Sequence, residues 1–124
     1  MTFTESQKLL ILSLAEPVLR GRGSTASIPT SADAAKRLGW SITRFNRKLD
    51  NVCEKLSRHG VRGLRGGQQH LAVNRRARLV EHSVASRLVV AADLELLEKN
   101  AEEVAAAAAA EAAQAQQEEG VKVD

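Results

Sequence analysis

The sequence predicts an all-α protein: a small helix-turn-helix bundle with a long C-terminal Ala/Glu-rich helix. Three observations predict it. Phe45, Leu49, Val52 and Leu56 recur at spacings of four, three and four, the period that gathers side chains on one helix face. A shorter helical stretch precedes them and meets them at the tight turn Leu38-Gly39-Trp40. The last quarter of the chain is built from Ala, Glu, Leu and Gln, all strong helix formers. The only aromatic residues are Phe3, Trp40 and Phe45, so the core must come from Leu, Val, Ile and Ala, which suits packed helices.

Thr4-Glu5-Ser6-Gln7 reads as a capping box, with Gln7 reaching back to the Thr4 amide. Leu9, Leu10, Leu12, Leu14, Ala15 and Val18 follow as the apolar set of a first, scaffolding helix. Pro17 has no N–H and clashes with the preceding turn, so this helix is expected to end or kink near Ala15–Glu16. Gly21-Arg22-Gly23-Ser24-Thr25 is a connector by composition. It lacks the Gly-Lys-Ser/Thr ending of a phosphate-binding loop.

After Pro29, Thr30 or Ser31 caps a short helix whose inner face is Ala34, Ala35 and Leu38. Small residues there allow two helices to approach closely. Gly39 suits the left-handed backbone of a helix C-terminus, because it carries no Cβ. Trp40 is expected to plug the core between the two helices. Ser41 caps the longer helix that follows. Its core face is answered on the opposite side by Thr43, Arg44, Asn46, Arg47 and Asp50. Arginine and asparagine carry the forked donors and acceptors that match guanine and adenine edges. Asp50 can accept from cytosine N4, or pair with Arg47 three residues before it. The alternative reading of this face is an ordinary solvated helix surface.

Arg58, Arg62 and Arg65 extend the basic stripe into a glycine-rich loop, with Val61, Leu64 and Leu71 expected to tuck inward. Contacts of this kind hold phosphates and set position without reading sequence. Asn74 is expected to cap the next helix, with Leu79, Val80, Val84 and Leu88 as its apolar set. Arg75, Arg76 and Arg78 then crowd its start, where cations oppose the helix dipole unless an anion such as phosphate answers them.

From Asp93 to about Glu118 runs the tail helix, expected to pack near Leu94–Leu97 and then to be solvated. The division is therefore residues 1–88, a helix-turn-helix domain, and 89–124, an acidic Ala-rich tail. The charge is divided the same way. Residues 1–90 hold 16 Lys/Arg against 6 Asp/Glu, a balance of +10, while 91–124 hold 2 against 9, a balance of −7. Twelve of the basic residues fall between Lys36 and Arg78, which points to a polyanionic partner. The tail has three readings: a partner-binding element, a segment that folds back and competes for the arginines, or a solubilising appendage.

Other classes find less support. Cys53, the sole cysteine, is expected to be a small buried residue and allows no internal disulfide. His59, His70 and His82 lack metal-ligand spacing, and no nucleophile–base or carboxylate-pair pattern singles out an enzyme; no cofactor is expected. No run approaches the about 20 apolar residues of a membrane span. MTFTESQKLL lacks the basic-then-apolar order of a signal peptide, so a cytoplasmic, nucleoid-associated location is expected.

Residues 34–56, AAKRLGWSITRFNRKLDNVCEKL, resemble the DNA-binding module of LuxR-type response regulators and of sigma factor region four. The likeness rests on the Ala-Lys-Arg-Leu-Gly run, Trp40-Ser41, Phe45, Leu49 and the closing Lys55-Leu56. With Phe3-Thr4-x-x-Gln7 and Asn74-Arg75-Arg76-Ala77-Arg78-Leu79-Val80-Glu81, the chain looks closer still to actinobacterial helix-turn-helix segments found beside forkhead-associated domains. The resemblance covers about residues 3–88. Two departures are the longer loop from Arg20 to Thr30 and the lack of a phosphoacceptor, autoinducer or forkhead-associated domain.

The resemblance implies a duplex-DNA reader that regulates transcription. Base contacts would come from Asn46, Arg47 and Asp50. Phosphate contacts would come from Ser41, Thr43, Arg44 and Lys48, with Arg58, Arg62, Arg65, Arg75 and Arg76 continuing the basic stripe. By the same analogy the last helix of the domain would make a homodimer. A different class of function remains open: an adaptor of the same fold that docks on RNA polymerase or another protein through its tail.

Overall fold

A computed structural model describes residues 2–21, 28–62, 64 and 71–122, with residues 71–74 and 115–122 described as backbone only. The described residues form helices and turns and include no strand. Helix α1 (Glu5–Leu19) is the axis of the bundle. Helices α2 (Ser31–Leu38), α3 (Ile42–Arg58), α4 (Leu71–Ala85) and α5 (Leu94–Lys122) all pack against it. Its sequence explains this position. Every residue from Leu9 to Ala15 is buried, and a helix that is apolar all round must be surrounded. Ser13 is tolerated among them because its hydroxyl donates to the Leu10 carbonyl at 2.6 Å.

The Thr4–Gln7 capping box forms as expected: the Gln7 amide donates to Thr4 Oγ1 at 3.1 Å, and the Thr4 amide to Gln7 Oε1 at 3.0 Å. The expected end near Ala15–Glu16 is corrected. The helix continues through Pro17 to Leu19. Pro17 stands in the final turn, so its missing N–H forfeits only the bond to the Ser13 carbonyl before the helix closes. The Arg20 amide closes the helix on the Glu16 carbonyl at 2.9 Å.

Thr30 caps α2, accepting from the Asp33 amide at 3.1 Å. Ala34, Ala35 and Leu38 are its buried face. Gly39 ends it at φ +75°, and the Trp40 amide donates back to the Ala35 carbonyl at 2.9 Å. Ser41 then caps α3, accepting from the Arg44 amide at 3.1 Å. Phe45, Leu49, Val52, Cys53 and Leu56 are buried along α3 and meet α1 and α2.

Helix α4 begins at Leu71, three residues before the expected Asn74 cap. Leu71 and Ala72 are strong helix formers and add a turn, so Asn74 lies inside the helix and Arg75, Arg76 and Arg78 sit beyond the first turn. There the dipole has largely faded, and the cost expected for them falls with it. Leu64 is buried and Val61 half-buried, as the pattern required.

The link to the tail is ordered. Arg87 takes φ +61°, Val89 is buried, and a 3-10 turn spans Ala91–Asp93. The Asp93 carboxylate accepts from the Val90 amide at 2.9 Å and pairs with Lys8 of α1 at 3.4 Å. Leu94 and Leu97 join the same core as α1 and α3. The packed part of α5 also runs further than Leu97. Asn100 donates to the Leu38 carbonyl at 3.4 Å, and Val104 lies over Gly39. Beyond Val104 the side chains described, 105–114, are exposed. No described helix is long and apolar enough to cross a membrane.

Candidate nucleic-acid interface

Three local devices aim α3. Gly39 reverses the chain in two residues. Ser41 accepts the Arg44 amide in the first turn of the new helix. Trp40, between them, is half-buried, with its ring tilted against Phe45 at 6.4 Å between centroids. The expectation that Trp40 plugs the core is therefore corrected. Phe45 fills that space, and Trp40 forms its rim. The outer side of Trp40 carries Arg44, whose guanidinium carbon is 4.5 Å from the ring centre. This cation–π contact stiffens a long side chain at the mouth of α3.

Ser41, Thr43, Arg44, Asn46 and Arg47 are exposed at the start of α3, and Lys48 is half-buried. Among the described residues no carboxylate pairs with Arg44, Arg47 or Lys48. These residues bring hydroxyl, amide and cationic groups together at the start of α3: two hydroxyls, one amide, two guanidinium forks and one ammonium.

The other sequence-assigned residues have different surroundings. Asp50 does not pair with Arg47. Its carboxylate accepts from Arg75 Nη1 of α4 at 2.8 Å, a contact across 25 residues that local spacing could not reveal. Both residues are thus engaged in bracing α4 on α3, which leaves Asn46 and Arg47 as the exposed, unpaired members of the expected base-contact set. Arg76 reaches Ser31 Oγ at 3.5 Å and links α4 to the start of α2. Arg78 donates to the Arg62 carbonyl at 2.9 Å and meets Glu81 at 3.3 Å. Arg58 is exposed but held by Glu54 at 2.7 Å, one turn back. Arg62 is exposed. Arg65 lies outside the described residues.

A second charged group lies on another side of the bundle and was not anticipated. Glu16 accepts from Arg37 of α2 and Arg20, and Arg20 also meets Glu98 of α5 at 3.1 Å. Burial alone would raise the Glu16 carboxyl. The hydrogen bonds from Arg37 and Arg20, with their charges, outweigh it and hold the group below the usual carboxylate range. Among the described residues Glu98 is the one tail carboxylate on an arginine, and that arginine caps α1 and is not part of α3. A cleft of about 340 Å³ separates the tail from the mouth of α3, lined among others by Glu5, Trp40, Arg44, Asn100 and Val104. Cys53 faces the core, where burial pushes its thiol up to about 11, with Arg75 pulling it down and Asp50 adding to the rise.

The arrangement can bind a polyanion through exposed cations, and can present an amide and a guanidinium fork to a groove. Among the described residues no group of three or more His, Cys, Asp or Glu could hold a metal ion. No protein-family model, curated protein or solved structure matches this chain.

Proposed function

We propose that this chain binds duplex DNA sequence-specifically and regulates transcription, with α3 lying in the major groove. The observation that carries the reading is the unpaired surface at the start of α3, set on a capped helix-turn-helix, while the arginines of α4 are spent inside the fold. Asn46 and Arg47 read base edges. Ser41, Thr43, Arg44 and Lys48 hold the flanking phosphates, and Arg62 adds a contact from the following loop. Asp50 and Arg75 keep the angle between α3 and α4. A homodimer on a two-fold site and a cytoplasmic, nucleoid-associated location belong to the same reading.

The test is fluorescence anisotropy with fragmented genomic DNA over a salt series, comparing the intact chain with Arg47→Ala. Binding should weaken steeply with salt as phosphate neutralisation releases counterions. Arg47→Ala should lose sequence preference while keeping much of its non-specific affinity. Absence of binding by the intact chain at low salt would sink the reading.

A second reading is favoured by the exposed extension of α5 beyond Val104. There the chain is an adaptor that docks on RNA polymerase or another protein through this acidic helix. Co-purification of a protein partner that is lost in a chain ending at Ala108, without any DNA affinity, would select it.

A further inference from the structure

Ile42 is the first residue of α3 and is 44% exposed, the one large apolar side chain left so open among the described residues. It stands three residues before buried Phe45, at the edge of the core stripe, and the fold leaves nearly half of it open. The first turn of a helix favours acidic residues, which complement the dipole. Helices α1, α2 and α5 follow that preference with Glu5, Asp33 and Glu95, whereas α3 and α4 have no acid in the first turn, and α3 carries Arg44 there. At this end, then, the chain withholds a carboxylate and leaves an isoleucine partly open. A carboxylate would repel phosphate, so the first departure fits a helix start that faces DNA.

The second departure has a chemical counterpart. Among the groups on the floor of the major groove, the thymine C5-methyl is the apolar one, and aliphatic side chains recognise it by contact. Ile42 precedes Asn46 by four residues, so the two share a flank of α3 one turn apart. One turn advances about 5.4 Å along a helix, against about 3.4 Å between stacked base pairs. Side chains so placed reach base pairs one or two steps apart. Resting on the reading of α3 as a groove-binding helix, we propose that Ile42 determines specificity by packing on the methyl of a thymine within two base pairs of the adenine read by Asn46. The preferred half-site therefore contains an A·T-rich step at this position.

The experiment first selects preferred duplexes from a random pool with the full chain. Each thymine of the best site is then replaced in turn by deoxyuridine, which removes only the methyl. Affinities are measured for the intact chain, Ile42→Ala and Ile42→Val, with circular dichroism to verify the fold. One deoxyuridine should weaken the intact chain about fourfold, the equivalent of about 0.8 kcal/mol for one buried carbon. Ile42→Ala should bind the thymine site more weakly and be indifferent to that replacement, and Ile42→Val should keep most of the discrimination. Equal binding of thymine and deoxyuridine by the intact chain, or undiminished discrimination in Ile42→Ala, overturns the assignment while leaving groove reading by α3 intact. If no selective, salt-sensitive site emerges from the pool, the DNA reading itself fails, and this assignment fails with it.

Discussion

Helices α3 and α5 are the two longest in the bundle, and they use their length differently. α3 buries a residue in every turn from Phe45 to Leu56 and turns a basic surface outward. α5 buries Leu94 and Leu97, half-buries Asn100, Ala101 and Val104, and then continues with exposed alanines and glutamates. At about 1.5 Å per residue its 29 residues extend about 43 Å, well past the core they start in. The difference is one of side-chain size at the repeating positions. Leucine and phenylalanine at a helical spacing bury enough area to fasten a helix, and alanine at the same spacing does not. Helix formation and helix docking are separate properties, and the tail changes from docked to merely helical near Val104.

The sharpest way to break this comparison is to remove one core side chain from each helix. Leu49→Ala in α3 and Leu97→Ala in α5 should each cost about 2–5 kcal/mol in denaturant unfolding, since both residues are fully enclosed. A near-zero cost for Leu97→Ala would return α5 to the status of an appendage. The next effect concerns their meeting point. A Cβ added at Gly39 would lie 2.7 Å from Val104 Cγ1, on a backbone at φ +75°. Gly60 has φ +90° and open space around it. Gly39→Ala should therefore cost about 2–4 kcal/mol, combining backbone strain with overpacking, and Gly60→Ala only about 1 kcal/mol. Val104→Ala in the Gly39→Ala background should recover the overpacking part alone.

Smaller effects separate binding from folding. Arg47→Ala should leave stability within about 0.5 kcal/mol and cost about 1–3 kcal/mol of binding to the preferred site, read by anisotropy. The pH dependence follows from Glu16, whose folded carboxyl lies below its unfolded value. Its stabilisation is complete above the unfolded pKa and is lost as pH falls through the folded one. Glu16→Gln should flatten that part of a stability–pH curve measured in acid. Least of all, a chain ending at Ala108 should unfold within about 0.5 kcal/mol of the intact one, because the described side chains beyond it, 109–114, are exposed.

Much of this was legible in the sequence because the signals are local. The caps at Thr4, Thr30 and Ser41, the left-handed Gly39 and the buried face of α3 each depend on residues within one turn of each other. Local spacing misleads where a distant group decides the outcome. The bond between Asp50 and Arg75 spans 25 residues and takes both from the apparent basic-stripe and base-reading set. Trp40 was displaced to the rim by Phe45, and Val104 found its place only because Gly39 leaves room. The helix runs through Pro17 to Leu19, three residues past Glu16, since a breaker in a final turn has little left to break. The open face of Asn46 and Arg47 was visible from spacing. The exposure of Ile42 is not legible in the sequence, because an apolar residue beside a core stripe looks like part of it.

The enclosed thiol of Cys53 makes the chain its own unfolding clock. A thiol held near 11 is almost wholly protonated at neutral pH, and at 2% exposure it meets no reagent while α3 stays docked. Labelling must then wait for the helix to lift, so its rate under excess reagent reports how often α3 leaves the bundle. Because Cys53 is the only cysteine, that rate belongs to α3 alone, and its change when DNA is added would measure how firmly the ligand keeps the helix in place.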